Sequence, residues 1–168
     1  QLAAHSHRPG MPYSFRVLNS PVIDAYTFPA GSVGISRALI LGMESESELA
    51  AVLGHEIGHV CARHAAQRYT QGMVTTLIAA GVSAYVQREH EKYAGLAAGL
   101  GSVGAGALQA HYSRDDEREA DRLGMEYANR IGENPEGMIR LMDLLRRTET
   151  RQPGLIERMF ASHPMTTE

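Results

Sequence analysis

Apolar and polar positions alternate in the first quarter of the chain. Tyr13, Phe15 and Val17 alternate with polar residues, and Asn19-Ser20-Pro21 then marks a turn. Val22 to Phe28 reads as a second strand, Pro29-Ala30-Gly31 as a turn, and Ser32 to Ile35 as a third strand. Arg37 to Leu41 either extends that strand or forms a short helical connector. A small antiparallel sheet fits these lengths. Gly31 and Gly34 flatten its last strand, which is expected to leave an edge open to an extended peptide.

The pattern then changes to a helical period. Ser45-Glu46-Ser47-Glu48 is a capping-box sequence, with acidic residues placed to suit the helix dipole. Leu49, Leu53, Ile57 and Val60 follow as an apolar stripe. Gly54 and Gly58 each cost about 1 kcal/mol of helix propensity against Ala, so their expected use is close approach of another backbone. Ser113 caps a later helix, on which Glu117, Asp121, Gly124 and Ala128 share one face. Gly132 stops it. Asn134 and Pro135 open the next, whose core face is Met138, Leu141, Met142 and Leu145. Leu155 to Phe160 is a short apolar helical piece. The predicted class is α+β and predominantly helical.

Between these helices lie two apolar, small-residue segments, Met73 to Val86 and Ala94 to Ala110, separated by the charged stretch Gln87 to Lys92. Neither reaches the roughly 20 apolar residues needed to span a bilayer. The second carries five glycines, so a helical hairpin or loosely helical flap is expected. Internal packing is its ordinary use, and peripheral contact with a membrane surface or a partner is the sharper one. Residues 1–12, broken by Pro9, Gly10 and Pro12, read as an irregular arm on which His5 and His7 are solvated. Residues 13–168 read as a single catalytic domain.

Composition narrows the function. The chain has 168 residues with 43% hydrophobic and 21% charged content, enough for one domain with a core. A net charge of −3 and no basic run argue against nucleic acid as a partner. Cys61 is the single cysteine, so an internal disulfide is excluded and a buried small side chain is expected. The first residues lack the charged start and apolar run of a signal peptide.

The chemistry sits at His55-Glu56-Ile57-Gly58-His59, which reads H-E-x-x-H. Residues four apart on a helix lie about 40° apart, so both imidazoles can hold one Zn²⁺. Glu56 lies about 100° from His55, placed for a water and not for the metal. This is the layout of a zinc peptidase, with one ion per chain. His64, on the apolar stripe, reads as a packed, hydrogen-bonded core residue.

A catalytic zinc takes three protein ligands, so the third must come from elsewhere. The extension H-E-x-x-H-x-x-G-x-x-H fails, because residues 62 and 65 are alanine. A Glu on a later helix remains. Glu117 is the best candidate, since Asp121 lies one turn on and could accept the N–H of a zinc-bound imidazole. Glu119 competes but points about 160° away from Asp121.

The runs E-S-E-L-A-A-V-L-G-H-E-I-G-H-V and S-R-D-D-E-R-E-A-D-R-L-G, with S-H-P near the end, resemble the HtpX/CAAX-prenyl-protease superfamily of zinc metallopeptidases. The likeness is nearest to its soluble periplasmic branch, the BepA-like, beta-barrel assembly-enhancing proteases, and covers about residues 15 to 168. It implies a zincin-like core with His55, His59 and Glu117 as ligands, Glu56 as general base, and Asp121 behind a ligand. It also implies a role for His163, before Pro164. His163 either donates to the oxyanion of the tetrahedral intermediate or fills zinc's fourth position and keeps the enzyme latent. The family usually has Asn-Ala before the aromatic of the second strand, where this chain has Asp24-Ala25-Tyr26. An ionised Asp accepts but cannot donate, which bears on substrate alignment and not on the metal.

The resulting expectation is a zinc-dependent endopeptidase for unfolded or misassembled envelope proteins. It is expected in the bacterial periplasm or associated with the envelope, and not integral to the membrane in this chain. The expected substrate contacts are Asp24, Gly31 and Gly34. The alternative is a chaperone-like or binding module that keeps zinc for structure, its site closed by His163.

Overall fold

The computed structural model describes residues 1–28, 30–89 and 112–164. Three strands come first: β1 (Ser14–Leu18), β2 (Ala25–Thr27) and β3 (Ser32–Ser36). The described helices are α1 (Arg37–Gly42), α2 (Glu46–Ala62), α3 (His64–Glu89), α4 (Arg114–Arg130), α5 (Glu136–Arg151) and α6 (Glu157–Ser162). Short 3-10 turns occupy Leu2–His5 and Pro153–Leu155. The chain divides into two compact units, residues 1–65 with 111–168, and residues 66–110.

The sheet has three strands in the order β1-β3-β2. It is small, as the strand lengths predict, but mixed: β2 pairs antiparallel with β3, and β1 pairs parallel with it, Ser14 opposite Ser32. Alternation finds strands but does not say which neighbours they take. The turn at Gly31, with φ +87, closes the β2–β3 hairpin. β1 then adds to the far side of β3. One expectation is thereby corrected. Gly31 to Ile35 cannot offer an open edge, because β3 is the central strand and its backbone groups on both sides are used. The face of Gly34 is also occupied, since a Cβ there would stand 2.8 Å from the Tyr26 ring. On β1 the apolar residues face outward, with Phe15 46% and Val17 67% exposed.

Ser36 ends β3 and caps α1, accepting the Leu39 N–H at 3.1 Å. The connector at 37–41 is therefore helical. α2 begins where Ser45 caps it. The Glu48 carboxylate accepts from the Ser45 hydroxyl and the Glu44 N–H, and Arg140 of α5 lies 3.4 Å from it, so this buried charge is compensated. The remainder of α2 is buried nearly all round. One side joins Ile23, Ile35, Leu39, Leu141 and Leu145 in a core between the sheet, α1 and α5. The other packs Ala50 and Ile57 on Leu123, Tyr127 and Ala128 of α4.

The contact between α2 and α4 runs backbone to backbone. A Cβ on Gly54 would stand 2.8 Å from the Gly124 carbonyl oxygen, and one on Gly58 would stand 2.8 Å from that of Ala120. This is the close approach the glycines predict, and it carries the first turns of α4 across from His55 and His59. Ser113 caps α4 in a reciprocal capping box with Asp116.

The first residues pack on the same pair of helices. Leu2 is buried, Arg8 donates to the Val60 carbonyl at 3.1 Å, and His7 Nδ1 lies 2.8 Å from the Tyr127 hydroxyl. In the second unit, α3 is helical through the expected apolar segment and exposes Tyr69, Met73, Leu77 and Ile78. The other apolar segment, Ala94 to Ala110, lies outside the described residues. Among the described residues, no helix is long and apolar enough to cross a membrane.

Candidate metal centre

Helix periodicity places His55 and His59 on one flank of α2, with their Nε2 atoms 3.0 Å apart. Glu117, in the first turn of α4, faces both. Its Oε2 is 3.4 Å from His55 Nε2 and its Oε1 is 3.4 Å from His59 Nε2. His163 arrives from the end of α6, where its N–H closes the helix on the Met159 carbonyl and Pro164 prevents continuation. Its Nδ1 lies 3.3 Å from His55 Nε2 and 3.2 Å from Glu117 Oε1. One donor atom from each of these four buried residues lies within 4.8 Å of all the others.

These spacings test whether the donors suit a metal. A tetrahedral zinc with bonds of about 2.0–2.1 Å has donor-to-donor edges of about 3.3–3.4 Å. The spacings cited run from 3.0 to 3.4 Å. The residue types, three imidazoles and a carboxylate, are also those zinc takes. The donor set therefore fits a single ion.

The surroundings hold the donors in place. Asp121, one turn beyond Glu117, accepts from His55 Nδ1 at 2.8 Å. Tyr112 stacks on His59, ring centroids 4.0 Å apart at 23°, and His64 Nδ1 lies 2.9 Å from His59 Nδ1. Glu119 is not in the cluster and instead lies 3.3 Å from His64 Nε2. Beside His55 and Glu117 opens a cleft with an apolar lining that includes Val52, Met138, Leu141, Met159 and Phe160.

Glu56 lies among these groups, fully buried, and neither carboxylate oxygen has a hydrogen-bond partner among the described residues. His163 Nε2 lies 3.7 Å from Glu56 Oε1. Of the expected substrate contacts, Asp24 donates its backbone N–H to the Ser36 hydroxyl and accepts the Ser36 N–H at its carbonyl, and its charge is near enough to act on Glu56. Gly31 and Gly34 serve the hairpin and the Tyr26 contact instead.

Burial and charge set the protonation of the metal-free cluster. Burial raises the Glu56 carboxyl, with the charges of His163 and His55 opposing. Burial opposes the charged form of His55, but hydrogen bonds to Asp121 and Glu117 outweigh it and carry its pKa up to about 10. Burial prevails at His59, pushed down to about 3. Burial would raise Glu117, yet hydrogen bonds from His163, His55 and His59 hold it well below the carboxylate range.

His64 and Tyr112 are the two neighbours of His59 that sequence reasoning missed. His64 is buried and hydrogen-bonded, as its place on the apolar stripe predicts, but the stripe does not name His59 as its partner. Tyr112 precedes the α4 cap and shows no periodic signal at all.

The model of peptidase family M48 matches residues 1–168. The chain belongs to peptidase family M48. It is 32% identical over 168 residues to the beta-barrel assembly-enhancing protease of Yersinia pestis, covering 98% of this chain and 34% of that protein. It is 29% identical to the mitochondrial metalloendopeptidase OMA1 of Arabidopsis thaliana, over 79% of this chain and 26% of that one. It is 29% identical to the metalloprotease YcaL of Escherichia coli (strain K12), over 95% of this chain and 60% of that one. The chain thus spans about a third of the first relative's length. The resemblance read from the three motifs, the zincin-like helical fold class and the metalloendopeptidase class agree with this M48 membership.

Proposed function

We propose that this chain is the catalytic domain of a zinc-dependent endopeptidase that cuts unfolded or misassembled envelope proteins. The observation that carries the reading is a buried four-donor cluster beside a buried carboxylate, Glu56, that has no hydrogen-bond partner among the described residues. His55, His59 and Glu117 would hold one zinc ion. Zinc there supplies Lewis-acid chemistry, polarising a carbonyl oxygen and acidifying a water. Glu56 takes the proton of the attacking water and passes it to the leaving amine. Burial raises the Glu56 pKa, which favours holding the proton between the two transfers.

An extended substrate backbone would add at the exposed end of β2. β2 is an edge strand. Bonds from the Ser36 N–H to the Asp24 carbonyl and from the Phe28 N–H to the Ser32 carbonyl put alternate residues of β2 toward β3. Of the residues between them, Ala25 is fully buried, whereas Thr27 is partly exposed and turns its backbone groups away from β3, to the side where an extended peptide would add. Asp24 precedes this strand, its charge near enough to act on Glu56. The apolar cleft would take a neighbouring apolar side chain. Relatives named for beta-barrel assembly support an envelope setting. The test is digestion of unfolded casein by the zinc-loaded chain. Cleavage that a chelator abolishes and zinc restores is expected; zinc-independent cleavage would overturn the reading.

A second reading draws on His163. Its Nδ1 lies inside the donor set, where it would occupy zinc's fourth position and close the site. This supports a latent enzyme, or a zinc-holding binding module, more than an oxyanion donor.

A further inference from the structure

α2 ends at Ala62, and Arg63 takes a left-handed conformation, φ 62 and ψ 26, the one positive-φ non-glycine among the described residues. Had the helix continued, His64 would lie about 140° round from His59 and about 7.5 Å further along. The left-handed turn instead brings His64 back, so that its Nδ1 is 2.9 Å from His59 Nδ1. The far nitrogen, Nε2, lies 3.3 Å from Glu119 Oε2 and 3.6 Å from Asp116 Oδ1. His64 is 2% exposed and His59 fully buried.

Two facing Nδ1 atoms share one proton. For His59 to offer its Nε2 lone pair to a metal, that proton must be its own, on Nδ1. His64 then accepts at Nδ1, carries its proton on Nε2 and donates it to Glu119. Every proton in the chain from carboxylate to ligand is thereby assigned. The reverse assignment puts the His59 proton on Nε2, aimed at His55 Nε2 3.0 Å away, and removes His59 from the ligand set.

We propose that His64 is a positioning residue that holds His59 in its metal-binding tautomer, with Glu119 as the terminal acceptor. It is the counterpart of Asp121 on His55. The two ligands differ in burial, and that accounts for the different devices. Asp121, behind His55, is partly exposed, so its carboxylate stays hydrated. Around His59 a carboxylate would have to be desolvated, so a neutral imidazole relays to a carboxylate, Glu119, whose side chain is half exposed. Asp116 is the lesser acceptor, being further away and already bonded to the Ser113 N–H. This inference rests on the metal-site reading above.

The experiment is zinc affinity by competition with a chelator for the parent, His64→Phe and His64→Asn. Melting of the metal-free proteins is measured alongside. His64→Phe keeps bulk without an acceptor and is expected to lose roughly 10–100-fold in zinc affinity. His64→Asn keeps an oxygen near the Nδ1 position and is expected to recover most of that loss. A merely structural role would lower metal-free melting and leave zinc affinity unchanged. In zinc-loaded parent labelled with ¹⁵N-histidine, NMR is expected to place the His59 proton on Nδ1 and the His64 proton on Nε2. A His64→Phe that binds zinc as tightly as the parent, or a His64 proton on Nδ1, overturns this inference alone. A parent that binds no zinc overturns the metal site as well. Should His64→Phe fail to fold, the tautomers in the parent decide.

Discussion

Gly58 of α2 lies against Ala120 of α4 so closely that a methyl group on Gly58 would stand 2.8 Å from the Ala120 carbonyl oxygen. No side chain separates the two helices there. That spacing is what lets Glu117 and Asp121 reach His55 and His59.

Gly58→Ala sets two effects against each other. Helix propensity gains about 1 kcal/mol, but the clash is with backbone, which cannot swing away. Overpacking of this kind costs about 1–3 kcal/mol and should win. Denaturant unfolding of the metal-free protein is expected to show a net loss, with weaker zinc binding. Gly81→Ala in α3 meets no atom within 4 Å and is expected to be neutral or stabilising.

Asp121→Ala removes the acceptor that orients His55 and should weaken zinc binding roughly 10–100-fold. Chelator competition reads this directly. Unchanged affinity would mean that the 2.8 Å bond contributes nothing to the ligand.

In the metal-free protein His55 is raised to about 10, against burial, by its bonds to Asp121 and Glu117. A group raised on folding contributes its stability in full below its unfolded pKa of about 6.5 and loses it as pH climbs through the folded value. Metal-free protein should therefore become less stable between pH 7 and pH 10, as equilibrium unfolding in denaturant would show. Zinc must also displace the His55 proton. Calorimetry at pH 8 in buffers of different ionisation enthalpy should find that proton released, and should find its release fading above pH 10.

His163→Ala separates the two roles open to this residue. With Nδ1 inside the donor set, the variant is expected to cut casein several-fold faster than the parent and to bind zinc less tightly. Loss of cleavage with zinc retained would assign the oxyanion role instead.

The legible parts of the fold are those that local periodicity determines. The caps at Ser45 and Ser113, the H-E-x-x-H helix and the Glu117/Asp121 face all depend on residues three or four apart. The glycine pair at 54 and 58 announced a close neighbour, although only the structure shows that Gly124 and Ala120 supply it. What was not legible depends on partners distant in sequence, or on one backbone torsion. The parallel pairing of β1 with β3 made β3 the central strand and left β1 and β2 as the edges. The left-handed Arg63 gives the buried His64 its partner, His59, which the apolar stripe does not name. His163, 108 positions from His55, was visible only through the family resemblance.

Glu56→Gln tests the central claim most directly, made in both the parent and the His163→Ala chain and assayed on unfolded casein with zinc content measured alongside. All four proteins are expected to hold one zinc. Cleavage is expected with Glu56 present and reduced by at least about 100-fold without it. Zinc-loaded Glu56→Gln protein that cuts as fast as its Glu56 counterpart would contradict the account, as would zinc-loaded Glu56 protein that cuts in neither background.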